Sequence, residues 1–223
     1  MATDYQAGFS LLELAVVLFV VSLLAAGVLT PLKAQRENQQ IRSTKISLER
    51  LSKVILGYTL SQGHLPCPDS NGNGWQNRLG NSSCQNNNGT LPWRDLGVNA
   101  TDAWNQSIGL AVSPDYADQI EGAAGCATVS TGISFSLCSE ATLSVSANLD
   151  GSDQLAQQVP FILFSQGQPR GFNSTLEAEN LDGDLNFIKR GHSLLTGAEF
   201  NDLLIWVPDS LLKYTMINAQ RLP

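Results

Sequence analysis

The segment from Phe9 to Leu29 constrains this chain more than any other: it reads FSLLELAVVLFVVSLLAAGVL, with Glu13 as its one charge. As a helix it would extend about 32 Å, enough to cross the hydrocarbon core of a bilayer. A secretory signal peptide is the rival reading, but its apolar core spans about 7–15 residues and follows basic ones. Here the run is longer, and the residues ahead of it, MATDYQAG, contain neither Lys nor Arg. The pattern therefore predicts a membrane anchor. A carboxylate inside such a helix is costly unless paired, which marks Glu13 as a functional residue.

Beyond Pro31 the apolar run gives way to an amphipathic pattern. Ile41, Leu48, Leu51, Ile55 and Tyr58 recur at helical spacing, while Arg42, Glu49, Arg50 and Lys53 fall elsewhere. Gly63 and Pro66 read as a stop. The sequence thus predicts one helix over residues 9–62, apolar all round and then amphipathic, kinked or loosened at Pro31. Residues 67–90 are dense in Asn and Gly and read as a structured loop. Strands are predicted at Ser107–Val112, Gly132–Cys138, Thr142–Ala147, Val159–Ser165 and Leu203–Val207. The expected fold class is α+β: a long N-terminal helix, transmembrane then amphipathic, packed on an antiparallel β-sheet.

A hydrophobic content of 43% with only 15% charged residues fits a folded chain and argues against disorder. The net charge of -7 argues against general nucleic-acid binding, which needs cations to neutralise phosphates. The four cysteines, Cys67, Cys84, Cys126 and Cys138, all follow the apolar segment, and an even count in an exported region suggests disulfides. Four cysteines allow three pairings. The two local bridges, Cys67 with Cys84 and Cys126 with Cys138, are favoured because each closes a short loop, worth roughly 3 kcal/mol.

The stretch Gly8-Phe9-Ser10-Leu11-Leu12-Glu13-Leu14 resembles the processing site of type IV prepilins and type II secretion pseudopilins. The resemblance implies a leader peptide at 1–8, the helix at 9–62 and a globular pilin-like β domain at 63–223. It implies cleavage by prepilin peptidase after Gly8, N-methylation of Phe9, and Glu13 as the carboxylate that guides assembly by pairing with a neighbour's new amino terminus. Later segments are similar to pilin-like stretches in their order: Leu91-Pro92-Trp93, Asp102-Ala103-Trp104-Asn105, Ser165-Gln166-Gly167, and Asn201-Asp202 through Trp206. Ala103 and Asn105 stand where that family favours proline and glycine. Lys33, Arg36, Arg42 and Lys45 follow the anchor, which by the positive-inside rule would leave the C-terminus in the cytoplasm. The resemblance and the disulfides imply the opposite: a single-pass protein of the bacterial inner membrane with a periplasmic or extracellular C-terminal domain, found in a filament after assembly.

Asp69-Ser70-Asn71-Gly72-Asn73-Gly74 matches the first half of a calcium loop, with Asp69, Asn71 and Asn73 as candidate metal ligands. The twelfth position, where a bidentate Glu belongs, is Gly80, so calcium would be held weakly and an Asn/Gly turn is favoured. Glu177, Glu179, Asp182 and Asp184 form a second acidic candidate, with a solvated loop as the favoured reading. No resident cofactor is expected. The chain has no G-x-S-x-G elbow, P-loop or dinucleotide fingerprint, and His64 and His192 sit in Gly/Pro-flanked loops where surface residues are expected. Together these readings imply a non-catalytic filament subunit, a minor pilin or pseudopilin, whose partners are other such subunits. The alternative is a filament-tip binding module in which Trp75 and the Asn-rich loop contact a surface, a sugar or a secreted substrate.

Overall fold

The computed structural model describes residues 10–80, 82–120, 130–170, 174–193, 195 and 199–223, without the side chains of 25–31. Gly8, Phe9 and Cys126 lie outside the described residues. In chain order the elements are α1 (Leu11–Gln62), β1 (Arg78–Leu79), β2 (Ser83–Cys84), β3 (Asn88–Thr90), α2 (Trp93–Leu96), β4 (Gly109–Val112) and α3 (Pro114–Ala117). They continue with β5 (Leu143–Ser146), β6 (Gln154–Val159), β7 (Phe161–Ser165), α4 (Thr175–Glu179), β8 (Asn186–Ile188), β9 (Leu203–Val207) and α5 (Asp209–Asn218). The chain divides into two compact units, Met1–Arg42 and Ser43–Pro223.

In the first unit the described chain is helical from Leu11, and its side chains from Leu11 to Leu24 are all exposed. Helical backbone continues through Pro31, although proline has no N–H to give. Among the described residues no helix is long and apolar enough to cross a membrane. The described apolar side chains of this run end at Leu24, short of the segment read from the sequence.

The second unit is α+β. Its part of α1 buries Thr44, Leu48, Leu51, Ile55 and Thr59, three or four residues apart, which puts them on one stripe. Ile41 and Tyr58, expected on that face, are half-buried. The helix stops at Gly63, whose φ of +81 suits glycine and whose position a Cβ would crowd to 1.9 Å from the Gly132 carbonyl oxygen. The buried stripe packs on the antiparallel sheet β3-β4-β7-β9, against Leu110, Val112, Phe161 and Leu163. The opposite face of that sheet, Ala111, Ile162, Phe164 and Leu204, meets Leu143, Val145, Val159 and Phe187 from the smaller sheet β6-β5-β8. With a layer on each face, β4 and β7 are buried at every position, which is why both read as continuous apolar runs.

Several sequence expectations change here. Gly132–Cys138 is not a strand but a chain of turns, because its serines satisfy the backbone locally. The Ser136 N–H donates to Ser139 Oγ, and Ser134 Oγ donates to the Tyr116 carbonyl. Pro160 divides the predicted Val159–Ser165 strand, ending β6 before β7 begins. The pairing of β5 with β8 is parallel, so the sheets are not wholly antiparallel. Helix α5 went unpredicted, yet Leu212 and Met216, one helical turn apart, are both buried.

Candidate functional site

The first turn of α1 starts from a cap. Ser10 Oγ accepts the Glu13 N–H at 3.2 Å, and the Leu14 N–H donates to the Ser10 carbonyl at 3.1 Å. Serine followed three residues later by glutamate is a capping-box pattern, and a carboxylate in the first turn also complements the helix dipole. The sequence carried this signal in Ser10-Leu11-Leu12-Glu13, but reading the segment for its apolar length missed it. Glu13 is exposed, surrounded along the helix by exposed leucines and valines.

In the second unit Cys67 and Cys84 form a disulfide that closes the Asn-rich loop. Cys138 is disulfide-bonded as well; its expected partner, Cys126, is outside the described residues. Inside the first bridge, Asp69 Oδ1 accepts the N–H groups of Asn71 and Gly72, and Oδ2 accepts that of Gly74. Burial opposes ionisation, but these N–H groups outweigh it and hold the Asp69 carboxyl below its ordinary range. Asn71 Oδ1 accepts the Asn73 N–H, and Asn73 Oδ1 accepts the Trp75 N–H. The three candidate calcium ligands thus turn their oxygens to their own loop, the pattern of successive Asx turns.

His64 is buried, not the surface residue its loop suggested. Its Nδ1 lies 3.0 Å from Arg78 Nη2 and 2.9 Å from the Leu65 carbonyl oxygen. Arg78 also donates to the carbonyls of Ala117, Ser82 and Leu65 and to Gln76 Oε1, tying both ends of the disulfide loop to its neighbours. Burial, with the nearby Arg78 charge, pushes the His64 pKa down. His192 is exposed, with Nε2 2.9 Å from Arg170.

Three short segments singled out in the sequence converge. Asp102 accepts the Trp104 and Gln106 N–H groups and the Ser165 hydroxyl, the last at 2.6 Å. Ser165 Oγ in turn accepts the Gly167 N–H. A Cβ on Gly167 would come within 2.5 Å of the Asn201 carbonyl oxygen, and Asn201 donates to the Gln168 carbonyl. Asn105 has φ of +62, a left-handed conformation that glycine adopts freely and asparagine tolerates, so this position keeps the geometry without the glycine.

The late acidic residues separate. Glu177 is buried in a capping box with Ser174 and accepts the Asn201 N–H. Glu179, Asp182 and Asp184 bring one oxygen each within 4.8 Å of one another. Burial and the two aspartates raise the Glu179 pKa. Asp182 and Asp184 each accept a backbone N–H, from Asp184 and Asn186. Near them Asp202 is buried, and burial pushes its pKa up to about 7 despite the hydrogen bond from Asn180.

Comparison with known proteins bears on the N-terminal segment. Residues 3–29 match the family described as the prokaryotic N-terminal methylation motif. No curated protein and no solved structure matches significantly. The matched segment is a type IV prepilin-like leader, the signature of a membrane-anchored precursor, and it supports the pilin and pseudopilin family.

Proposed function

We propose that the protein is a non-catalytic structural subunit, a minor pilin or pseudopilin, of a type IV pilus or type II secretion-like filament. Prepilin peptidase cuts after Gly8 and Phe9 becomes the N-methylated first residue. The apolar helix then holds the subunit in the inner membrane as a single span, with the disulfide-bonded unit outside the cytoplasm. The observation that carries this reading is the methylation motif at 3–29, with Glu13 in the first turn of the helix. In an apolar filament core that carboxylate is tolerable only beside a cation, and the Phe9 amine of a neighbour supplies one. Mass spectrometry of the protein from its native membrane tests the proposal. The expected terminus is N-methyl-Phe9; an intact Met1, or a cut near Ala25–Gly27, would overturn it.

A tip-binding role is the second reading. It is favoured by Trp75, which is 48% exposed beside Arg94, a guanidinium that also lies 4.8 Å from the Trp93 ring centroid. Such a role requires the subunit at the filament end alone. Immunogold labelling along the whole filament would reject it.

A further inference from the structure

A cleft of about 510 Å³ lies in the second unit, lined by the Asp69–Gly72 turn, β3, β4, the end of β7 and the turn after α4. Its volume is within the roughly 300–1,000 Å³ of small-ligand sites. We infer that this cleft binds a neutral saccharide, an activity separate from filament assembly.

Charge narrows the ligand first. Among the described residues the lining holds no Lys, Arg or His, and its one ionisable residue is Asp69. Three backbone N–H groups already share that carboxylate, and an anion finds no cation in the described lining. The polar groups narrow it further. Asn86, Asn88 and Gln166 line the cleft with side-chain amides that make no hydrogen bond among the described residues. Gln106 Nε2 reaches only the Trp104 carbonyl, at 3.5 Å. Each amide presents a donor and an acceptor together, the complement of a hydroxyl, which also does both.

The apolar part of the wall suits a sugar ring. Leu181 is 41% exposed on the cleft wall, whereas the Phe164 ring, packed over Gly109, is almost wholly buried and forms the floor behind it. A ring with polar edges and C–H faces meets both kinds of surface in this cleft. An extended peptide also carries donors and acceptors, and docking by strand addition would need a free strand edge. Here the β3 edge is taken at Thr90, whose N–H and carbonyl both pair with Asp69. Recognition is left to side chains.

The test uses the full chain in a detergent without a sugar headgroup, followed by saturation-transfer NMR. The probes are maltotriose, cellotriose and chitotriose, with sialyllactose and an Ala/Ser heptapeptide as contrasts. Saturation transfer to at least one neutral trisaccharide is expected. Asn88→Ala combined with Gln166→Ala should weaken that affinity roughly tenfold, the loss of about two neutral hydrogen bonds. Ser107→Trp, at an exposed position on the cleft wall, should abolish binding while the unfolding midpoint stays unchanged. No transfer to any neutral trisaccharide, equal binding by both variants, or preference for sialyllactose or the peptide would overturn the assignment. Since the assay needs no filament, its failure leaves the subunit reading standing, and an intact Met1 would leave a positive result standing.

Discussion

From Leu11 to Leu24 every side chain of α1 is exposed, whereas from Thr44 to Thr59 one residue in each turn is buried. The two stretches share one helix and very different sequence rules. The later stretch is patterned because its partner surface, Leu110, Val112, Phe161 and Leu163, belongs to the same unit and covers one side. The earlier stretch is apolar on every side, so no single protein face could satisfy it, and lipid or a ring of neighbours could. An apolar residue is therefore worth stability in one stretch and nothing to the isolated fold in the other.

Substituting matched leucines is the severest way to break that contrast. Leu48→Ala empties a fully buried site and should cost about 2–5 kcal/mol. Leu18→Ala, on the exposed stretch, should change the unfolding free energy by less than about 0.5 kcal/mol. Urea unfolding of the full chain in detergent measures both. Equal losses would mean that the first stretch has a partner inside the fold.

Removing the Cys67–Cys84 bridge probes the second unit alone. With a sequence separation of 17, its loss through a double Cys→Ser change should cost roughly 3 kcal/mol. Hydrogen exchange in the Leu11–Leu24 helix should not respond. A parallel loss of protection there would show the two stretches to be coupled.

At the start of α1 the expected effects are smaller and local. Ser10→Ala removes the cap that receives the Glu13 N–H and should fray the first turn by about 1 kcal/mol. Glu13→Ala should cost about 0.3–1 kcal/mol of helix stability through the dipole. On the proposed function the order reverses in the cell: Glu13→Ala should block filament incorporation, while Ser10→Ala should not. Equal incorporation of both variants, compared with their membrane-bound amounts, would leave Glu13 a first-turn carboxylate favourable to the helix dipole and nothing more.

The contrast also explains what could be read beforehand. The stripe at Leu48, Leu51 and Ile55 and the strand at Leu203–Val207 were legible because periodicity records burial against a partner in the same chain. The first disulfide was legible from loop length, and Glu13 from its isolation among apolar residues. Turns held by side chains were not. Ile133, Ser134, Phe135 and Ser136 are all buried, so the alternation that suggested a strand reflects serines bonding to backbone, not a pleat. His64 was misplaced because a histidine between Gly63 and Pro66 carries no trace of Arg78, 14 positions away. The cleft was invisible for a related reason: its amides come from three distant segments and share no spacing.

Among the titrations that the second unit shifts, those of His64 and Asp202 oppose each other. His64 is held neutral by burial and by Arg78, so its folded pKa lies below the ordinary 6.5. The stability it contributes is present above pH 6.5 and is lost as the pH falls through the folded value, because the unfolded chain takes up the proton first. Asp202 runs the other way, its pKa raised from 3.8 to about 7. Its contribution is complete below pH 3.8 and is lost as the pH rises through about 7, because there the folded chain must bury a carboxylate beside Glu177. The groups facing His64 are Arg78, the Tyr58 ring and the Gln119 amide; Asp202 meets Asn180 and the Glu177 charge. Asp202→Asn should therefore stabilise the protein at neutral pH, with the gain fading toward pH 3.8. His64→Gln keeps a hydrogen-bonding side chain without the titration, so it should flatten the acid side of the profile and leave the alkaline side unchanged. Thermal midpoints of both variants and the parent, followed in steps across that range, separate the two. If Asp202→Asn shifted the midpoint equally at every pH, the carboxyl would be titrating alike in the folded and unfolded chains, and the burial assigned to Asp202 would be wrong.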